Sequence, residues 1–246
     1  MRLRRRLIVL MLAPLLTLAP AVALAQAPAP PLRVLVFGDS LTEGYGLPRK
    51  DGLVPQLQAW LDRRGQDATV LNGGLSGDTT AGGRVRIGYS IARHRPDAVV
   101  VELGGNDLLL GFGPAMVEDN LDSILTQAAR RDRPLLLVGI ALPDAGARDI
   151  PASDSTERAA WAAIWPRLAD RHRALLLPNL FQPLYDAPED YRAYLQADGL
   201  HPSARGVREI VEVLGPKVEE LIAETRRRRA LADAQPETDL DPADGG

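Results

Sequence analysis

Five short apolar runs, each followed by a polar or amphipathic segment, constrain the fold of this 246-residue chain more than any other feature. The runs are largely apolar and do not alternate strictly with polar residues, which is typical of strands buried on both faces of a parallel sheet. They span Arg33–Phe37, Ala68–Leu71, Ala98–Leu103, Leu135–Ile140 and Ala174–Leu177.

Between and after these runs, apolar residues recur at the spacing of amphipathic helices. Four such helices are predicted, over Leu53–Arg64, Val117–Arg130, Thr156–Arg171 and Ser203–Glu224. Strand–helix alternation repeated about five times predicts a three-layer α/β/α domain with a parallel sheet. We expect this one domain to occupy residues 32–225, with no internal repeat and no second domain.

The first 25 residues have the pattern of a signal peptide. Four arginines precede an apolar stretch that begins at Leu7 and ends in the small-x-small sequence Ala23-Leu24-Ala25. An uncleaved membrane anchor is the alternative, but two prolines interrupt the stretch, so cleavage before Gln26 is favoured. We therefore expect a periplasmic or secreted protein without stable membrane insertion, beginning with an extended Pro/Ala linker over residues 26–31.

The carboxyl-terminal residues 226–246 are predicted to be a disordered charged tail, because their last part is acidic and carries Pro and Gly. The tail starts with four consecutive arginines, Arg226–Arg229. These could form a patch for an anionic surface or a solvated helix end. The second interpretation is favoured, because the helix dipole stabilises positive charge at a C-terminus.

Composition excludes several classes of site. The formal net charge is −3, and it becomes −7 when the four arginines of the leader are removed, so nothing global favours nucleic acid as a partner. The chain has no cysteine, which excludes a disulfide framework, a thiolate metal site and a cysteine nucleophile. The acidic residues form no compact ligand cluster, so neither a metal nor another cofactor is predicted. The oligomeric state stays open, with a monomer slightly favoured.

Polar, Gly-rich segments follow the first three predicted strands. They are Gly38–Leu41, Asn72–Asp78 and Gly104–Asp107. Because ligands of open parallel sheets bind beyond the carboxyl ends of the strands, these three turns predict a functional site at one edge of the sheet.

Ser40, in the first turn, is the candidate nucleophile, although an N-cap serine is the alternative interpretation. A serine nucleophile needs a base, and His201 is the candidate. Asp198 precedes it by three residues, close enough to accept from Nδ1–H and leave Nε2 free for the serine proton. A turn merely capped by Asp198 is the alternative. His94 and His172 are flanked by arginines just before strands, and we expect them to be solvated at the opposite edge.

An acyl-transfer site also needs donors for an oxyanion. The candidates are the backbone N–H groups of Ser40 and Gly77 and the side-chain amide of Asn106. The alternatives are an ordinary Asx-turn at Asn106 and a residue with positive φ at Gly77.

The chain resembles the SGNH hydrolases, also called the GDSL esterase/lipase family, over roughly Leu32–Leu221. Four segments carry the resemblance, in the family's order: Val36–Thr42, Asn72–Thr80, Glu102–Asp107 and Asp198–Pro202. Within the family the chain is most similar to the exported bacterial arylesterases, a branch that includes an acyl-CoA thioesterase/lysophospholipase.

The resemblance implies a flavodoxin-like, five-stranded parallel sheet of order 2-1-3-4-5. Ser40 and Asn106 would then face each other across a crevice. It also implies roles for five residues: Ser40 as nucleophile, Gly77 and Asn106 with Ser40 in the oxyanion hole, and Asp198 and His201 as the remaining catalytic pair. The implied activity is hydrolysis of small-molecule acyl or aryl esters or thioesters, such as acyl-CoA or lysophospholipids, through an acyl-enzyme.

The apolar residues after Asn106 are candidates for substrate binding. Leu108, Leu109, Leu110 and Phe112 could form a wall for an acyl chain or aromatic leaving group, or could simply pack onto the next helix.

Two other functions stay open. A carbohydrate O-deacetylase is possible within the family, although aromatic residues are only 4% of the chain. All three tryptophans also lie on predicted helices, where packing is the favoured interpretation. A non-catalytic envelope binding protein would retain the fold, but it would have no need for the set Ser40, Asp198 and His201.

Overall fold

The computed structural model describes residues 30–140 and 155–234. The chain divides into one unit over Met1–Pro30 and a second over Pro31–Gly246, and the elements below belong to the second unit. The predicted signal peptide, most of the predicted Pro/Ala linker and the end of the predicted tail lie outside the described residues.

The described part of the chain contains one sheet of five parallel strands in the order β2-β1-β3-β4-β5. The strands are β1 (Leu32–Gly38), β2 (Ala68–Gly74), β3 (Ala98–Glu102), β4 (Leu135–Val138) and β5 (Leu175–Leu177). All five predicted strands are therefore confirmed, as is the strand order. The order reverses between β1 and β3, so their carboxyl ends form the crevice where such sheets bind ligands.

Helices cover both faces of this sheet. They are α1 (Ser40–Glu43), α2 (Leu53–Arg63), α3 (Thr80–His94), α4 (Gly105–Leu109), α5 (Pro114–Ala128), α6 (Ser155–His172), α7 (Gln182–Tyr185) and α8 (Ala204–Ala234). The apolar residues of α2 and α8 pack on one face and those of α3, α5 and α6 on the other, which gives two separate cores. Successive side chains of β1 alternate between them: Val34 and Val36 belong to the first core, Leu35 and Phe37 to the second. The three-layer α/β/α prediction is confirmed.

Helix α3 is absent from the sequence prediction, and its composition explains why. It contains three glycines, which lower helix propensity, and Ile87 is its one large fully buried apolar side chain. The glycines permit close packing. A Cβ at Gly83 would come within 2.5 Å of Leu103 Cδ1, so the helix lies closer to the sheet than a larger residue would allow.

Helix α8 extends the domain past its predicted end at residue 225. Residues 226–234 are helical, which agrees with the favoured interpretation of Arg226–Arg229 as a solvated helix end and not with a disordered tail that begins at residue 226. The arginines there are held to the body of the domain: Arg226 donates to Gln66 Oε1 at 3.0 Å, and Arg229 forms an ion pair with Asp97. These contacts supply tertiary stabilisation that a charge pattern alone does not reveal.

Within the described ranges, no helix has the combination of length and apolar character needed to cross a membrane.

Candidate active site

Ser40 lies at the carboxyl end of β1, as the first residue of α1. The preceding residue, Asp39, is the N-cap, and its Oδ1 accepts from Leu41 N–H at 3.0 Å. The N-cap role, which was the alternative interpretation of Ser40, is therefore filled by its neighbour. The Ser40 hydroxyl contacts His201 instead, with Oγ 2.9 Å from Nε2.

His201 lies between Ser40 and Asp198. Its Nδ1 is 2.7 Å from Asp198 Oδ2, and Asp198 Oδ1 accepts the backbone N–H groups of Leu200 and His201 at 3.0 Å each. Burial tends to raise the pKa of Asp198, but these hydrogen bonds outweigh it, so the pKa lies below its ordinary value. An ionised Asp198 requires the proton on Nδ1, which leaves Nε2 as an acceptor for the Ser40 hydroxyl.

The other two predicted oxyanion donors, Gly77 and Asn106, line the same cleft as Ser40. Gly77 has a φ of 77°, so the turn uses the left-handed region that glycine adopts without strain. Its N–H has no hydrogen-bond partner among the described residues. The Asn106 Nδ2 donates to Asp78 O at 2.8 Å and to Asp39 Oδ2 at 3.2 Å. A substrate oxygen could take over the hydrogen of the longer bond.

Arg86 ties the ends of β1 and β2 to the turn that carries Gly77. Its guanidinium donates to Asp78 Oδ2 at 2.7 and 3.0 Å, to Gly73 O at 2.7 Å and to Gly38 O at 3.0 Å. It also lies over the Phe37 ring, 4.0 Å from the centroid. The buried Asp78 and this arginine therefore fix the relative position of two of the three polar turns.

Two buried carboxyl groups lie directly behind Ser40. Asp39 and Glu102 are 3% and 1% exposed. Burial is the largest cause that raises the pKa of Asp39 to about 6, and the charges of Asp78 and Asp107 add to it. Burial is also the largest cause that raises the pKa of Glu102 well above its ordinary value, and the charge of Asp39 adds to it. Glu102 Oε2 accepts from Thr42 Oγ1 at 2.8 Å, whereas its Oε1 is buried without a partner among the described residues.

These raised pKa values predict that folding stability falls as the pH rises. Below about pH 4 both carboxyls are largely protonated in the folded and the unfolded chain, so their ionisation does not lower the free energy of unfolding. As the pH rises from about 4 to 6, the carboxyls of the unfolded chain ionise while those of the folded chain stay protonated, so folding stability falls. Glu102→Gln removes one ionisable group at constant size. It should raise the free energy of unfolding at pH 8 above that of the wild-type protein, because a buried amide stays neutral without holding a proton.

Urea denaturation of both proteins at pH 4, 6 and 8 checks this. The two free energies should nearly coincide at pH 4 and separate as the pH rises. A constant difference, or a gap that opens toward low pH, would contradict the assignment.

A cleft of about 390 Å³ opens in front of the Ser40 hydroxyl. Leu108 and Leu109 line it, whereas Leu110 and Phe112 do not. Leu110 is 62% exposed because it caps the end of α4, and Phe112 packs against the core under α5. The structure therefore places two of the four predicted substrate-binding residues at the cleft, and their role in substrate binding stays a prediction.

The aromatic part of this cleft escaped the sequence prediction. One side is lined by Phe181, Tyr185 and Tyr191. The ring centroids of Phe181 and Tyr185 are 6.2 Å apart, and those of Tyr185 and Tyr191 are 5.6 Å apart. The ring centroid of Tyr45 lies 4.7 Å from that of His201. Three of them come from the segment between β5 and the Asp198 turn, which has neither strand nor helix periodicity. The one sequence feature that could have indicated an aromatic cleft wall was the high density of aromatic residues over 181–194.

The remaining histidines lie away from this cleft. His94 ends α3 and is half-buried. His172 ends α6 and is not solvated as predicted: its side chain is 12% exposed, with Nε2 2.8 Å from Asp122 Oδ1. The carboxylate of α5 draws this ring against the neighbouring helix. The described residues contain no group of three or more His, Asp or Glu side chains placed to hold a metal ion.

Residues 36–209 match the model of the GDSL-like Lipase/Acylhydrolase family. That range contains every turn described above. The chain belongs to this family. It is a serine ester hydrolase, with the fold and the activity class that the sequence resemblance implied.

Relatives with assigned names agree with this family. Esterase TesA of Pseudomonas aeruginosa is 34% identical over 190 residues, which cover 77% of this chain and 89% of that protein. An arylesterase of Vibrio mimicus is 31% identical and covers 83% of this chain and 96% of its own length. Thioesterase 1/protease 1/lysophospholipase L1 of Escherichia coli K12 is 31% identical, over 77% of this chain and 84% of that protein.

A solved structure extends the likeness to three dimensions. AlinE4, described as an SGNH-hydrolase family esterase, superposes with a TM-score of 0.62 at 35% identity, over 86% of this chain and 100% of that one. These names do not favour the carbohydrate deacetylase or the binding protein. The three tryptophans do pack in the two cores, as predicted: Trp60 is 2% exposed, Trp161 6% and Trp165 3%.

Proposed function

We propose that Ser40, His201 and Asp198 are the catalytic triad of this esterase. The observation that carries the proposal is the continuous hydrogen-bonded path from Ser40 Oγ through the His201 ring to Asp198, with links of 2.9 and 2.7 Å. Both distances lie within the range that proton transfer between a nucleophile and its base requires.

Each step of the reaction has a group in position. Ser40 Oγ attacks the acyl carbonyl while His201 Nε2 takes its proton, and Asp198 stabilises the resulting imidazolium. His201 then protonates the leaving alcohol or thiol. A water molecule, activated by the same nitrogen, hydrolyses the acyl-enzyme and restores Ser40.

The oxyanion of each tetrahedral intermediate would be held by the N–H groups of Ser40 and Gly77 and by the Asn106 amide. Support comes from their shared position on the cleft and from the N–H of Gly77, which is unpaired within the described ranges. Hydrogen-bond donors fixed before the reaction need no reorganisation as charge develops, and this is a large part of their effect.

We propose that the substrates carry an apolar acyl or aryl group of medium length. Aliphatic and aromatic side chains provide most of the cleft lining, among them Leu108, Leu109, Ile140, Phe181, Tyr185, Tyr191 and Leu195. Such a surface gains free energy by covering hydrocarbon, and it offers few polar partners for a sugar. Names such as arylesterase and thioesterase among the relatives are compatible with this class.

The sequence of the first 25 residues supports a further proposal, that the enzyme is exported to the periplasm or secreted, with residues 26–31 as a linker ahead of the domain.

The test of the substrate class is a series of p-nitrophenyl esters from acetate to palmitate, with kcat/KM measured for each. We expect a maximum at intermediate length, because a cleft of this volume accommodates part of a long chain only. Highest activity on acetate, declining steadily with length, would overturn the apolar-substrate proposal while leaving the esterase class intact.

A matched pair of leucine variants locates the acyl site. Leu109→Ser removes an apolar side chain that lines the cleft and should lower kcat/KM on the octanoate ester about 10-fold, with little change on acetate. Leu110→Ser changes the adjacent leucine, which points elsewhere, and should leave both rates unchanged. Equal losses on both esters with Leu109→Ser, or the same effect from both variants, would show that α4 does not contact the chain.

A further inference from the structure

A second groove, of about 1040 Å³, lies at the edge of the sheet opposite the cleft. It is formed where α3 and α5 end, where β3 and β4 begin and where the last turns of α8 cross them. Six arginines line it against two aspartates, Asp97 and Asp132. The arginines are Arg95, Arg130, Arg131, Arg133, Arg228 and Arg229. The chain as a whole is acidic, so composition alone does not produce this concentration of positive charge.

Half of these arginines have no counter-charge within the described part of the chain. Arg95, Arg130 and Arg131 are exposed, and their guanidinium groups make no hydrogen bond or ion pair with any described residue. By contrast, Arg228 is paired with Glu224, and Arg229 with Asp97. Burial and the nearby charge of Arg131 together lower the pKa of Arg133. The groove therefore carries uncompensated positive charge that a bound anion would neutralise.

The backbone at the groove is that of helix ends. Four non-glycine residues among those described have positive φ, and three of them line this groove: Arg95 (44°), Arg131 (63°) and Asp132 (53°). Glycine or asparagine adopts this conformation at lower cost than arginine. Arg95 has this conformation because it is the C-cap of α3, and helices commonly end in this way. The two helix ends thus hold two of the unpaired arginines in a fixed position at the groove.

We propose that this arginine groove docks the enzyme on a surface of anionic phospholipid. The planar guanidinium group binds phosphate oxygens in pairs, and three unpaired ones border the groove. The last turns of α8 add an apolar component, since Leu231 is 61% exposed beside the arginines. Adjacent basic and apolar side chains at a helix end are the arrangement that binds the lipid–water interface.

Nucleic acid fits the groove less well. The described residues that line it include no aromatic side chain on which bases could stack. The exposed leucine would gain nothing from contact with a phosphodiester backbone, whereas it can insert among acyl chains. Because the groove and the catalytic cleft lie at opposite edges of the sheet, this proposal does not depend on the identity of the catalytic residues.

The test is co-sedimentation of the purified esterase with vesicles of phosphatidylglycerol and phosphatidylcholine, compared with vesicles of phosphatidylcholine alone. The variant combines Arg95→Asn, Arg130→Gln and Arg131→Asn, which removes three charges and places residues that tolerate positive φ at the strained positions. Each basic residue near an anionic bilayer raises binding roughly fivefold, so we expect binding to fall about 100-fold. Raising NaCl from 0.1 to 0.5 M should weaken wild-type binding by screening.

A control variant of equal charge change combines Arg49→Gln, Lys50→Gln and Arg208→Gln, at exposed positions outside the groove. It should bind within about threefold of wild type. The groove variant should keep its esterase rate and a urea midpoint at least as high as that of wild type, because strain is relieved. Equal binding to both vesicle types, equal loss in both variants, or binding of duplex DNA without binding of vesicles would overturn the proposal.

Discussion

Ser40→Ala is expected to lower kcat on p-nitrophenyl esters by roughly 10⁴- to 10⁶-fold, the loss typical of removing the nucleophile of a serine hydrolase. The hydroxyl is 2.9 Å from the Nε2 nitrogen of His201, the proposed base, and no other side chain of the described residues forms a hydrogen bond with that nitrogen. KM should change little, because the cleft keeps its lining. The measurement is the initial rate at saturating ester, with the variant purified separately to avoid carry-over of wild-type enzyme.

Ser76→Ala provides the matched control. Ser76 lines the same cleft, but its hydroxyl bonds Glu43 and not the histidine. We expect less than a 10-fold loss from this variant. If Ser40→Ala retained a tenth of the wild-type rate, or if the two serine variants lost activity equally, Ser40 would not be the nucleophile. The urea midpoint of Ser40→Ala should match that of wild type, since the Ser40 hydroxyl bonds no described side chain other than His201.

Arg86→Met is expected to lower the free energy of unfolding by about 3–5 kcal/mol, because it leaves a buried charge unpaired. The side chain of Asp78 is 6% exposed, and without Arg86 its charge would be buried with no partner among the described residues. The carbonyls of Gly38 and Gly73 would lose their side-chain donor at the same time. The free energy of unfolding from urea titration at pH 7 measures the effect.

Two companion variants separate the ion pair from general loss of packing. Arg93→Met, on the same helix, removes an arginine whose side-chain hydrogen bond, to Tyr89, is long at 3.4 Å, and it should change stability by less than about 0.5 kcal/mol. The double variant Arg86→Met/Asp78→Asn should recover part of the lost free energy of unfolding, because it also removes the unpaired charge of the Asp78 carboxylate. A double variant less stable than Arg86→Met would show that the cost comes from packing against Phe37.

The sheet was predictable because each strand is a short apolar run. The predicted helices were recognisable because their apolar residues recur at helical spacing and form a stripe on one face. The turns Gly38–Leu41, Asn72–Asp78 and Gly104–Asp107 could be assigned to one edge because parallel strands direct all their carboxyl ends the same way. Helix α3 was missed because its buried face consists largely of Thr, Gly and Ser, which carry no hydrophobic signal.

Features that depend on tertiary packing could not be predicted. The aromatic side of the cleft comes from an irregular segment whose path is set by its contacts, and Tyr45 reaches His201 across 156 positions of sequence. The burial of Glu102 follows from its position at the end of a central strand, beneath the α1 turn. The arginine groove combines residues at or just past the ends of three separate helices, and in the sequence each of these ends looks like an ordinary solvated helix end.

The opposed placement of cleft and arginine groove has a practical consequence. An enzyme adsorbed on a sulfonated resin through its arginines would present every cleft to the flowing liquid, with no tether or tag near the reaction. Uniform orientation of this kind normally requires an engineered attachment point. In this molecule no such attachment point is needed, because the parallel sheet places the cleft at the carboxyl ends of its strands and the arginine groove at their amino ends.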